Sequence, residues 1–185
     1  GLQTNGVSAC AKHFPGHGYI KADTHQEIAI DPRNFEDIKK ADMKIFESLI
    51  QIGLFGIMPS HVIYSACDKM PSGLSSFWLQ RQLRDNLEFK GAIFSDDMSM
   101  NAAIICSKDI KIRVLMALNA GCDMVLVCNS PNDVDLLLNE LEWQVTEGSV
   151  LRINKMKLNK IQAKANNYKG FSLVEAQKFV TNITN

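Results

Sequence analysis

The sequence predicts an α/β fold of parallel (β/α) units, and three observations predict it. Four short apolar runs alternate with amphipathic helical stretches along the chain. The runs are nearly continuous rather than alternating, the pattern of strands covered on both faces of a parallel sheet. Each run ends in polar residues, and in α/β sheets ligands gather at that carboxyl edge. A closed (β/α)8 barrel needs eight such units and roughly 250 residues. With 185 residues and four units, the chain reads as half a TIM barrel followed by C-terminal helices.

Taken in order, the first strand run is Val7 to Lys12, followed by His13. Asn34 then caps a helix that shows Phe35, Ile38, Ile45, Phe46, Leu49 and Ile50 to the core. The second run, Leu54 to Met58, ends in Pro59, Ser60 and His61. A helix over about 76–86 buries Trp78, Leu79, Leu83 and Leu87. The third run, Ala92 to Phe94, ends in Ser95, Asp96 and Asp97. The helix over about 109–120 turns Ile112, Leu115 and Leu118 inward and stops at Gly121. The fourth run is Met124 to Cys128, then Asn129, and a helix from about Asn132 carries Val134, Leu137, Leu138 and Leu141. Trailing helices cover about 150–165 and the stretch from Ser172, where Ser172 and Glu175 form a capping box. The expected organisation is one domain over 1–185, with the half-barrel over about 1–145 and the helices over about 150–185.

Composition narrows the function classes. A chain 46% hydrophobic and 22% charged is ordinary globular protein, not a disordered segment. Lys+Arg 20 against Asp+Glu 20 removes the long-range attraction to nucleic acid or anionic membrane that a basic protein has. No stretch approaches the ~20 uninterrupted apolar residues of a membrane helix. The five cysteines, Cys10, Cys67, Cys106, Cys122 and Cys128, are odd in number and widely spaced. They suit a reducing compartment rather than a disulfide framework or zinc site, and Cys10, Cys122 and Cys128, in or next to strands, suit inert buried thiols. The start at Gly1, without Met, reads as part of something longer.

Two constellations carry chemistry. Lys12-His13-Phe14-Pro15-Gly16-His17-Gly18 is followed by Asp23-Thr24-His25, so three of the chain's four histidines share one loop. Pro15-Gly16 suits the centre of a type II turn. Asp23 and His25, one residue apart, can pair so that the carboxylate fixes the imidazole tautomer, the orienting half of a general acid/base. The second constellation is Phe94-Ser95-Asp96-Asp97-Met98-Ser99-Met100. Neighbouring side chains on a strand point to opposite faces, so one of Asp96 and Asp97 faces the mouth and the other turns to structural partners. A lone carboxylate at the mouth can attack a glycosyl carbon.

The motifs KHFPGHG, DTH, PSHVIY and FSDDMSM and the run AGCDMVLVCN, in that order, resemble the glycoside hydrolase family 3 β-N-acetylglucosaminidases of bacterial peptidoglycan recycling. The resemblance runs from about Val7 to about Asn129 and covers the second half of that family's (β/α)8 barrel. It implies Asp96 as nucleophile, His25 as general acid/base and Asp23 as its orienting partner. It also implies Lys12 and His13 as hydrogen-bond partners of the sugar hydroxyls, with His61 a further candidate for sugar contact. The substrates it implies are muropeptides carrying N-acetylglucosamine, handled in the cytoplasm without metal or organic cofactor. The family also grips its sugar with an aspartate and arginines of the first half-barrel, which have no counterpart here. The chain is therefore expected to recruit a complementary half, to dimerise, or to stand as an inactive remnant.

Plainer readings stand beside these. His13, His17, His25 and Asp23 together could ligate zinc or iron, though without helical HExxH spacing. His17 suits a loop residue donating to backbone carbonyls, and His61 suits packing beside Pro59 and Tyr64. Asp97 suits a supporting role. The lysines at 155, 157, 160 and 164 make a solvated helix face. Hydrolysis and phosphorolysis are both compatible with a histidine acid/base.

Overall fold

The computed structural model describes residue 3, residues 6–20 and residues 29–157. Asp23, His25 and the helix expected from Ser172 lie outside the described residues. The chain divides into two compact units, Ser8–Lys157 and another formed by Gly1–Val7 with Leu158–Asn185. The elements below belong to the first.

In chain order these are β1 (Cys10–Phe14), β2 (Ile30–Asp31), α1 (Phe35–Ile38), a π-helical stretch (Lys39–Met43), α2 (Lys44–Gln51), β3 (Gly56–Pro59) and β4 (Ile63–Tyr64). A 3-10 turn (Ser72–Leu74), a second π-type helix (Phe77–Asn86) and β5 (Ala92–Asp97) follow. Then come α3 (Asn101–Ile104), α4 (Ile110–Ala120), β6 (Met124–Leu126), α5 (Pro131–Glu140) and α6 (Glu147–Asn154). The main sheet has order β1-β3-β5-β6, all parallel, so each strand pairs with the next one built from an apolar run. This is the parallel α/β arrangement the runs predict. Cys10 pairs with Gly56, Gly56 with Ala92, and Phe94 with Met124.

Two strands extend further toward their carboxyl ends than the apolar runs do. β1 ends at Phe14, whose partner is Pro59, and the Phe14 carbonyl accepts the Ser60 N–H at 2.9 Å. β5 continues through Ser95, Asp96 and Asp97, with Asp97 opposite Leu126. Backbone pairing does not stop where apolar side chains stop, so the polar residues at the sheet edge stand on strand backbone rather than on free loops.

Helix starts match their capping chemistry. Asn34 accepts from the Asp37 N–H, Asp109 from Lys111, and Gly121 ends α4 at φ 123°, where a side chain would be strained. The buried faces differ from expectation in two helices. Ile38, Met43 and Phe46 are buried while Ile45 is 63% exposed. The π-helical stretch Lys39–Met43 widens one turn and shifts the inward face one position along the chain. In α4 the buried residues are Ile110, Arg113, Val114, Ala117 and Ala120, and Ile112 is exposed. Arg113 turns inward because its guanidinium reaches carbonyls of Met98, Ser107 and Lys108 at 2.7–2.9 Å. Leu118, Leu137 and Leu138 instead line an open apolar cleft of about 450 Å³ between α4, β6 and α5.

The core between sheet and helices centres on Trp78, with Phe14, Tyr64, Phe35 and Phe77 around its rings at 5.0–6.2 Å between centroids. β2 and β4 form a separate two-stranded parallel pair that the sequence did not suggest. Two residues per strand are too few to show a period. α6 starts at its cap Thr146, earlier than the helix expected over 150–165, whose far end lies outside the described residues.

Candidate active site

Two strand ends, those of β1 and β5, build the site. Phe14 is fully buried, edge-on to Phe46 at 5.2 Å and to Trp78 at 6.2 Å, and so anchors the end of β1 in the core. Its carbonyl accepts from Ser72 Oγ at 3.1 Å as well as from the Ser60 N–H. Just before it, Lys12 is exposed and His13 half-buried, so this anchored strand offers both to whatever occupies the sheet edge. The Lys12–His13 and Phe14–Pro15 peptide bonds are cis. Gly16 stands at φ 158°, nearly extended, so the turn is not of type II.

The loop is held from below. The Tyr64 hydroxyl donates to the Gly16 carbonyl, and a Cβ on Gly16 would overlap the Asp42 side chain. Arg33 joins Asp31 at 2.6 Å to Asp42 at 2.7 Å and lies over the Tyr19 ring at 4.3 Å. Both carboxylates hold the Arg33 guanidinium above its usual range, its hydrogen bonds to Asp31 first. The loop between β1 and β2 thus leaves and re-enters the fold at fixed points. Sequence reasoning missed these supports; the trace available was the Asp31-x-Arg33 spacing beside the Asn34 cap.

At the end of β5 the two aspartates have different company. Asp97 accepts from the Ser99 and Cys128 N–H groups, both at 2.9 Å, and so ties the β5 end to the β6 end. Asp96 accepts from the Asp97 N–H through Oδ1 at 2.9 Å. Its Oδ2 lies 3.6 Å from His13 Nε2, too far for a hydrogen bond. The side chains of Asp96 and His13 are 16% and 28% exposed. The two adjacent aspartates thus have different partners, Asp97 being the one bonded to the β6 end.

The histidines differ as well. His17 lies 5.9 Å from the His13 ring between centroids, and the anchored carbonyl of the turn, that of Gly16, is held by Tyr64 instead. Burial pushes His13 below its usual range; Asp96 pulls it up, while Lys12, His17 and His61 push it further down. Burial thus favours its neutral form. His61 is buried, with Nε2 3.0 Å from the Asp97 carbonyl. Among the described residues no group of three or more His, Cys, Asp and Glu side chains is placed to hold a metal ion.

Among the described residues Asp96 Oδ2 accepts no hydrogen bond and stands beside the His13 imidazole at the carboxyl edge of a parallel β/α sheet, the edge at which (β/α) barrels carry their active sites. The Glycosyl hydrolase family 3 N terminal domain matches residues 1–165, and the chain belongs to this family. It is 49% identical over 156 residues to a beta-hexosaminidase of Methylobacillus flagellatus, covering 84% of this chain and 44% of that one. A beta-hexosaminidase of Nitrosomonas eutropha is 51% identical over 157 residues, covering 85% and 45%. In structure it is similar to NagZ of Neisseria gonorrhoeae in complex with N-trifluoroacetyl-D-glucosamine, at TM-score 0.79 and 34% identity. That match covers 97% of this chain and 51% of the other. The chain thus spans less than half the length of the curated relatives it matches.

Proposed function

We propose that the chain supplies the catalytic half of a retaining exo-β-N-acetylglucosaminidase that removes terminal N-acetylglucosamine from muropeptides. The observation that carries this reading is that Asp96 Oδ2, beside His13 at the sheet edge, accepts no hydrogen bond among the described residues, in a chain of family 3. Asp96 attacks the anomeric carbon while His25 gives its proton to the leaving oxygen. The glycosyl ester on Asp96 is then opened by water that His25 deprotonates, and the Asp96 carboxylate leaves. Lys12 and His13 hydrogen-bond the sugar hydroxyls, a neutral His13 being able both to donate and to accept. Asp23 fixes the tautomer of His25. The names of the relatives, beta-hexosaminidase, support the substrate class, and a cytoplasmic setting goes with muropeptide recycling.

The reading includes a requirement for further β/α units. β1 and β6 end the four-stranded sheet, and pairing on their outer sides needs more strands. Assembly with a complementary half-barrel closes the sheet and adds the missing walls of the sugar site. The test takes that assembly and a chromogenic aryl β-N-acetylglucosaminide. Asp96→Ala abolishes turnover, and Asp97→Asn leaves more of it. His25→Ala slows poor leaving groups ~10²–10⁴-fold more than activated ones, the range of general acid catalysis. Equal losses for both leaving groups would make His25 a structural residue. A monomer of residues 1–185 with full turnover would refute the need for a second half.

A further inference from the structure

Residue 97 holds the carboxylate of Asp96, and a buried side chain holds residue 97. His61 follows the end of β3 and is 1% exposed. Its Nε2 stands 3.0 Å from the Asp97 carbonyl oxygen. A carbonyl oxygen only accepts, so the ring carries its proton on Nε2 and leaves Nδ1 as a bare acceptor. Nδ1 is buried and has no hydrogen-bond partner among the described residues. An unmatched buried acceptor lowers stability, and a leucine in this position would avoid that loss. A fold that keeps the imidazole is using its single hydrogen bond.

We propose that His61 is a positioning residue for the nucleophile. This rests on the reading of Asp96 as that nucleophile. The Asp97 carboxylate is fixed by the N–H groups of Ser99 and Cys128, and the Asp97 carbonyl is fixed by His61. With both ends of residue 97 held, one to the β6 end and one to the β3 end, its own N–H stays aimed at Asp96 Oδ1. That bond sets the rotation of the Asp96 carboxylate and keeps Oδ2 free on the side of His13. Among the described residues His61 makes no hydrogen bond to Asp96. It acts through the peptide that follows the nucleophile.

Two substitutions separate this role from packing. His61→Leu keeps the volume and removes both the donor and the orphaned acceptor; His61→Gln restores an N–H near the Nε2 position. In the assembly with a complementary half-barrel, His61→Leu lowers kcat/KM ~10²-fold, the loss expected of a misplaced reacting group. The loss is equal for activated and poor leaving groups, because attack rather than protonation is affected. The inhibition constant of N-acetylglucosamine stays within ~threefold, the thermal midpoint is unchanged or raised, and His61→Gln recovers at least ~tenfold of the rate. In residues 1–185 alone, ¹⁵N imidazole spectra at pH 7 show His61 as the Nε2-protonated neutral tautomer. An Nδ1-protonated or charged ring overturns the proposal. So does a His61→Leu rate within ~threefold of the parent, or a loss that His61→Gln does not relieve. Asp96→Ala in the same assembly distinguishes the failures. If it stays active, the nucleophile reading falls and the proposal with it; if it is dead while His61→Leu is active, the proposal alone falls.

Discussion

Asp96 and Asp123 stand at opposite ends of the same pair of strands and are treated in opposite ways. Asp123, just before β6, is buried and saturated. It takes Arg84 at 2.8 Å, Arg152 at 2.6 Å, the Ile93 N–H at 2.9 Å and Ser149 Oγ at 2.7 Å. Burial by itself raises its proton affinity, but the bonds from Arg152, Ile93 and Ser149 and the charge of Arg84 prevail and hold it below the usual carboxylate range. Asp96, at the carboxyl end of β5, has one backbone N–H on Oδ1 and an imidazole at 3.6 Å from Oδ2. A carboxylate that serves the fold has its lone pairs occupied. Asp96 keeps Oδ2 without a hydrogen bond among the described residues, while the bond from the β6 end goes to Asp97 next to it.

The comparison makes stability and activity separable. The largest effect on stability belongs to Asp123→Ala, which strands two arginines, one of them, Arg84, with its side chain only 13% exposed. The expected cost is about 3–5 kcal/mol by denaturant titration, the range for removing one partner of a buried ion pair. Acid comes next. Burial, the first cause for both, sets His13 and His61 below 6.5 in the folded protein, so the unfolded chain binds their protons first as pH falls below 6.5. Stability therefore declines from there downward. Asp123 runs the same way at lower pH, its folded value lying below 3.8, so its contribution is present above 3.8 and is lost as pH falls through the folded value. Denaturation midpoints against pH check both stages, and Asp123→Asn removes the lower one. Ser149→Ala deletes the hydroxyl's bond to Asp123 together with longer contacts from Arg152 and Thr146 at 3.2 Å, and costs about 1 kcal/mol. Asp96→Asn is smallest, within about 0.5 kcal/mol of the parent, because little in the fold depends on its charge. A large loss of stability there would break the contrast.

The parts of this picture legible in the sequence are those with a period or a cap. Four apolar runs mark the four strands of the main sheet, Asn34 and Asp109 mark helix starts, and alternation along a strand gives Asp96 and Asp97 different partners. What escaped has no local signature. The π-helical stretch that turns Ile45 out and Met43 in leaves the composition of the helix unchanged. Arg113 is polar by type yet buried, because loop carbonyls from three residues meet its guanidinium. Tyr64, Asp31 and Asp42 meet under the loop after β1 only once β2 and β4 have paired. His61 was legible as a polar residue at a strand end, but its burial was not, since that follows from β5 closing over it.

The central claim is that Asp96, and not its neighbour, attacks the sugar. A mechanism-based fluorosugar that traps the glycosyl ester, applied to this chain assembled with a complementary half-barrel and followed by peptide mapping, tests it most directly. The account predicts one adduct, on Asp96, absent from Asp96→Ala and still formed in Asp97→Asn. An adduct on Asp97 would contradict it.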